Sequence, residues 1–187
     1  DLRLMRRCLV QAAQCAREDG LIPGMIPGGL IFLASDAAQW VSACVRYVQL
    51  TGDTTLLDEL FPAAIRNLDA FESYVAEEGL RDGLPWSFID WGYRRGDAPI
   101  DPAMNLHYLG ALRAMVRWAE LRNDQEVLQR FQAREQQIAA GIQRWFASVL
   151  SAWERIGYHA AALGLSQGFF HQTRQQCVAY LKSHMLH

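Results

Sequence analysis

Ala43-Cys-Val-Arg46-Tyr-Val-Gln-Leu50-Thr-Gly-Asp53-Thr-Thr-Leu-Leu57 returns 71 residues later as Ala114-Met-Val-Arg117-Trp-Ala-Glu-Leu121-Arg-Asn-Asp124-Gln-Glu-Val-Leu128. Each copy reads as a helix, a tight turn built on Gly or Asn followed by Asp, and a second helix. Gly and Asn tolerate the left-handed conformation that stops one helix, and Asp caps the next. A lone pair of antiparallel helices cannot bury its apolar faces, so repeated pairs must pack side by side. The fold class that follows is all-α, an array of helical hairpins.

Working outward, apolar spacing of three and four fills in the other helices. The first runs from Leu2 to about Arg17, with Gly20 as its left-handed cap. Residues 20–35 form a loop rich in Pro, Gly and apolar side chains, in which Ile31 to Leu33 suit a short strand. Ser35 or Asp36 caps the next helix, whose stripe is Trp40, Ala43, Cys44, Tyr47 and Val48. After the turn, Asp53 caps a helix carrying Leu57, Leu60, Phe61, Ala64, Leu68 and Phe71, where Pro62 predicts a kink or a break. Asp101-Pro102 is a strong helix start. It opens the stripe Leu109, Leu112, Met115, Val116 and Ala119. A helix of about 25 residues follows from Val127 to Val149, then a short one from Gly157 to Leu165, a turn at Gln167-Gly168, and a last helix from Gln172 to Met185.

The 187 residues are 51% hydrophobic and 20% charged, with a net charge of −2. That composition fits one globular domain over residues 1–187. No basic stripe marks a nucleic-acid binder, and no apolar run is long enough to span a membrane. No secretory signal opens the chain, but one removed upstream would leave no trace, so cytoplasmic and secreted settings both stand. Cys8, Cys15, Cys44 and Cys177 show neither Cys-x-x-Cys nor zinc spacing and are read as buried thiols. With no metal-ligand set and no Gly-rich phosphate loop, no metal and no cofactor is expected.

Between the two repeats lies the richest chemistry: Trp86-Ser-Phe-Ile-Asp90-Trp-Gly-Tyr93, a polar stretch, then Asp101-Pro-Ala-Met-Asn105-Leu-His107-Tyr108. Long connections inside compact domains are usually functional or disordered, and this density of rings argues against disorder. Flat aromatic faces beside carboxylates and amides suit a sugar cleft. The plain alternative makes Trp86, Phe88 and Trp91 core residues and Asp90 a cap. The links 20–35 and 79–100 both join hairpins, and long links on one side of such an array make a rim for a site.

Taken together, Asp19-Gly-Leu-Ile-Pro-Gly24, Trp40-Val41 through Leu50-Thr-Gly-Asp53, Phe88-Ile-Asp-Trp91, Asn105-Leu-His-Tyr-Leu-Gly-Ala-Leu112 and Gly157-Tyr-His-Ala160 onward to Met185 resemble the catalytic domain of bacterial α-L-rhamnosidases, glycoside hydrolase family 78. The likeness covers nearly the whole chain. It implies an (α/α)6 barrel of helical hairpins and hydrolysis of terminal rhamnose with inversion by two carboxyl groups and a water. A rhamnoside carbohydrate would be the substrate. Asp90 and Trp91 match the motif whose acid contacts sugar hydroxyls and whose indole walls the pocket. Asp36 and Trp40 match a cleft-facing helix start, and Trp86, Asn105 and His107 complete the expected substrate-binding set. Two departures matter: the family's general acid lies before the helix starting near Leu2, and its general base beyond His187. The helices read here are too few to close six hairpins. An incomplete barrel is therefore expected, a fragment inactive alone, with uncovered faces such as Leu109–Ala119 exposed or pairing two copies in a homo-oligomer.

Within the chain, Asp90 is the first candidate acid and Glu154, beside Trp153, the second. Asp36 divides between cap and site, Asp97 is a further carboxylate, and Asp101 reads as a cap. By residue type alone, His107 and His159 read as satisfied, partly buried histidines. The reading from another class is a non-enzymatic helical-repeat module whose aromatic loop docks a protein partner.

Overall fold

The computed structural model describes residues 1–27, 29–77, 79–80, 84, 86–93, 100–149 and 152–184. Among the described residues there are eight helices: α1 (Leu2–Gln14), α2 (Ala34–Thr51), α3 (Thr55–Asp69), α4 (Pro102–Arg122), α5 (Gln125–Val149), α6 (Trp153–Ile156), α7 (Tyr158–Ser166) and α8 (Arg174–His184). A 3-10 turn at Glu72–Tyr74 leads into a two-strand ribbon, β1 (Val75–Ala76) antiparallel to β2 (Gly79–Leu80).

The repeated turns are built alike. Gly52 and Asn123, at matching repeat positions, both take the left-handed conformation, with φ of 73° and 56°. Asp53 then accepts the Thr55 N–H at 3.1 Å, and Asp124 accepts the Val127 N–H at 3.1 Å. Local chemistry thus folds each copy back on itself, giving the hairpins α2–α3 and α4–α5.

Helix α4 is the hub, packed against α2, α3, α5 and α7. It is buried nearly all round, as expected of a helix in the middle of a bundle. Leu109, Leu112, Met115 and Ala119 are fully covered. That corrects the expectation of an exposed Leu109–Ala119 face: the neighbouring hairpin and α7 occupy it. Trp118 is also sealed in, its indole N–H donating to the Leu57 carbonyl at 3.1 Å. The core runs from Leu9 on α1 through α2, α3 and α4 to Ile138, Ile142 and Phe146 on α5 and Phe170 before α8.

One face of α5 grips the preceding segment through polar groups. Arg130 pairs with Asp69 and, at 3.1 Å, with Glu72, while Arg134 meets Glu72 at 2.7 Å. Gln137 donates to the Ala76 carbonyl at 3.1 Å and Arg144 to that of Glu77 at 2.9 Å. Their steps of four, three and seven place them along one stripe.

Several local expectations change. Helix α1 ends at Gln14, because Arg17 turns out to fork onto Asp19 at 2.6 and 2.9 Å and Gly20 bonds back to the Arg17 carbonyl. Ile31 forms only an isolated bridge to Met25. Helix α2 begins at Ala34 without a side-chain cap, so Ser35 and Asp36 lie inside its first turn. Helix α3 runs through Pro62. Leu56, Leu57 and Leu60 before the proline and Ala64 and Leu68 after it pack into one core, which outweighs a penalty of about 3 kcal/mol. Cys44 and Cys177 are buried, but Cys8 is exposed and Cys15 half-buried on the solvent side of α1.

Candidate functional site

The aromatic loop is sewn to the start of α2. The Ser35 hydroxyl donates to the Phe88 carbonyl at 2.8 Å and accepts the Phe88 N–H at 3.2 Å. The Ala34 N–H donates to the Trp86 carbonyl at 3.0 Å. These bonds use the free N–H and hydroxyl groups that a helix start offers. The loop is held again at its far end, where the Tyr93 hydroxyl donates to Asp101 at 2.6 Å. Asp101 caps α4 with the same oxygen, accepting the Met104 N–H at 2.9 Å, as its sequence context predicts.

Between these two anchors Asp90 faces α7. Its Oδ1 accepts the Trp91 N–H at 2.8 Å, and its Oδ2 lies 3.0 Å from His159 Nε2. The His159 hydrogen bond is the main reason the Asp90 carboxyl sits below the usual aspartate range; the Trp91 N–H adds to it. An ionised carboxylate is acceptor-only, so His159 Nε2 carries the proton. A cleft of about 290 Å³ opens beside this pair, lined by Ile89, Asp90, His107, Tyr158, His159 and Leu163 among others. Burial pushes the His107 imidazole below its ordinary pKa, against the pull of Asp101. His107 thus stays neutral at the cleft floor, able to donate from one nitrogen and accept at the other.

The loop's rings stand outward. Trp91 is 92% exposed and Trp86 65%, with Phe88 between them in edge-to-face contacts. This disposes of the plain alternative for both tryptophans, since neither is core.

The other expected residues scatter. Asp36 is half-buried beside Gly24, and burial alone pushes its carboxyl pKa up. Trp40 lies in the interior, its indole N–H spent on the Leu9 carbonyl at 3.1 Å. Asn105 is fully buried and holds the ribbon: it accepts the Leu80 N–H at 2.8 Å and donates to the Asp101 carbonyl at 2.9 Å. Both face away from the cleft because helical periodicity assigns them to packed sides of α2 and α4. Glu154 is exposed on α6, outside the described lining of the cleft. Asp97 lies outside the described residues. The residue that sequence reasoning undervalued is His159, whose only signal was its place beside Tyr158 at a helix start. Among the described residues no His, Cys, Asp and Glu cluster could hold a metal ion, and no helix is long and apolar enough to cross a membrane.

The profile of the bacterial α-L-rhamnosidase six-hairpin glycosidase domain matches residues 2–185. The chain belongs to that family. Two solved structures share the fold of this chain. A rhamnosidase from Klebsiella oxytoca with rhamnose bound superposes with a TM-score of 0.69 at 21% identity, over 97% of this chain and 44% of that one. A family 78 rhamnosidase from Bacillus sp. GL1 gives 0.75 at 18% identity, over 98% of this chain and 20% of the other. The chain therefore spans less than half the length of either relative. No curated protein matches the chain. The all-α hairpin fold expected from the repeat is the family's fold.

Proposed function

We propose that this chain supplies the sugar-binding part of a glycoside hydrolase that releases terminal α-L-rhamnose with inversion. The observation that carries the reading is the Asp90–His159 contact at 3.0 Å on the wall of a cleft, on the same loop that carries exposed Trp91 and Trp86. A carboxylate offers about four lone-pair sites. Two on Asp90 are taken, by Trp91 N–H and His159, which leaves both oxygens an open site for neighbouring sugar hydroxyls. The indole faces offer apolar surface for the ring and methyl group of a deoxysugar. The family relationship and the fold of the two rhamnosidase structures support the same substrate class.

The chemistry needs more than this cleft. Inversion requires one carboxyl group to protonate the leaving oxygen and another to activate water, about 6.5–9.5 Å apart. Asp90 is the one carboxylate among the described lining residues, and an acid held ionised by a histidine is a poor proton donor. Its role is recognition. Each positioned acid or base contributes roughly 10²–10⁴-fold. The chain alone is therefore expected to release 4-nitrophenol from 4-nitrophenyl α-L-rhamnoside far below about 1 s⁻¹.

Calorimetry with L-rhamnose tests the binding role. Saturable binding abolished by Asp90→Ala supports it; binding indifferent to that change sinks it. The exposure of Trp91 also suits a protein-docking loop, and that reading takes over if no rhamnoside binds.

A further inference from the structure

Asp90 and His159 are 69 positions apart, one on a loop and the other on α7. The Asp90 side chain is 52% exposed, on a loop, while that of His159 is 16% exposed. Two phenol rings box the imidazole. Tyr158 lies at 4.0 Å between centroids, and Tyr93 stands edge-on at 5.3 Å and 90°. Tyr93 is itself tied to Asp101.

The helix beneath is clamped as well. Gln167, just past the end of α7, donates to the Leu106 carbonyl on α4 at 2.6 Å. Arg113 on α4 then bonds both the carbonyl and the side chain of Gln167, at 2.9 and 3.1 Å, and is paired with Glu135 on α5 at 3.0 Å. His159 is thus referred through α7 to the hub helix, whereas Asp90 is carried on a loop between its anchors at Ser35 and Asp101. An exposed aspartate without such a partner would exchange among staggered rotamers.

We propose that His159 is a positioning residue, whose Nε2–H holds the Asp90 carboxylate in one orientation at the cleft wall. This rests on the reading of the cleft as a sugar site for its use, but not for its existence. Binding sugar through a loop carboxylate costs the entropy of ordering that side chain, and an already ordered acceptor avoids it. The groups facing the pair among the described residues are His107 from α4, Tyr158 from α7, Tyr93 from the loop, and Asp101 behind Tyr93.

Two measurements on the full chain test this. The first is a carbon-13 titration of the Asp90 carboxyl in the wild type, His159→Ala and His159→Gln. In His159→Ala the midpoint is expected to rise toward the ordinary aspartate range, with the Trp91 N–H still holding it partly down, and the side-chain couplings of Asp90 are expected to average over rotamers. In His159→Gln, which keeps an amide donor near the Nε2 position, both effects are expected to be smaller. The second is calorimetry with L-rhamnose, where His159→Ala should weaken binding about tenfold, the effect of one hydrogen bond to a charged group. An Asp90 midpoint and rotamer unchanged by His159→Ala overturn the proposal, as does unchanged rhamnose affinity in that variant. A shifted midpoint in a protein that binds no rhamnose upholds the positioning role and removes the sugar reading instead.

Discussion

Asn105 separates a binding residue from a structural one, and its replacement by alanine gives a sharp test. Its carboxamide is fully buried and engaged by Leu80 N–H at 2.8 Å and the Asp101 carbonyl at 2.9 Å, with a longer contact to the Leu80 carbonyl at 3.4 Å. In Asn105→Ala the Leu80 N–H loses its acceptor while Leu80 remains 2% exposed. A buried donor left without a partner costs about 1–3 kcal/mol. The Asp101 carbonyl suffers less, because it keeps the Asn105 backbone N–H at 3.0 Å. With the small void added, the total is about 3 kcal/mol. For a chain of this size each kcal/mol lowers Tm by about 2–4 °C, so thermal unfolding followed by circular dichroism should shift down by about 6–12 °C. Rhamnose affinity measured well below the transition should stay within about twofold of the wild type, a difference under 0.5 kcal/mol. A Tm unchanged within about 1 °C together with lost rhamnose binding would refute the reasoning and return Asn105 to the sugar.

Gly20 sits at φ +97°, and a Cβ there would lie 2.6 Å from the Arg66 carbonyl oxygen. Gly20→Ala should therefore cost at least about 2 kcal/mol and lower Tm by about 4–8 °C; an unchanged melting point would show that the 17–21 turn relaxes freely. Asp36 tests the pH dependence. Burial raises its folded pKa above the unfolded value, so its contribution to stability is complete below the unfolded pKa and is lost as pH rises through the folded one. Asp36→Asn should accordingly raise Tm near neutral pH and change it little at about pH 3, below the unfolded value. An equal change at both pH values would mean that its charge is not what burial penalises.

The fold was legible where the signal is local. Gly52 and Asn123 need a left-handed backbone and Asp101 and Asp124 cap the next helix, all readable from a few neighbouring residues; the cap of α3 is Thr54, one position past the expected Asp53, which still accepts the Thr55 N–H. The family likeness rested on the order of such motifs and agreed with the profile over residues 2–185. Facing was harder. Trp40 and Asn105 stand within a few residues of plausible cleft positions, yet each points to a packed side, and motif proximity carries no information about which neighbour fills that side. Leu109 to Ala119 seemed uncovered because periodicity shows that a stripe is apolar without showing how many helices share it. The partner of Asp90 was the least accessible fact. His159 lies on α7, no spacing rule links the two, and only the packing of α7 on α4 brings them together.

The polar stripe on α5 bears on how neighbouring hairpins are set in height. Apolar side chains of similar size recur every turn, so a helix slid by one pitch, about 5.4 Å, still meets an oily surface and loses little. The guanidinium groups do not share that tolerance. Arg130 and Arg134 converge on Glu72 and, for Arg130, Asp69, while Arg144 reaches the Glu77 carbonyl. A slip of one turn could bring one arginine to the other's place at Glu72, but it would take Arg144 from the Glu77 carbonyl with only Ala140 or Ser148 to replace it, and set Gln137 against the wrong carbonyl. Exposed pairs contribute little to the depth of the native well. Their effect is to make it narrow: the interior decides that the hairpins meet, and the charged seam decides at what level, so that a loop hung from one hairpin arrives opposite the right residue of a helix in the next.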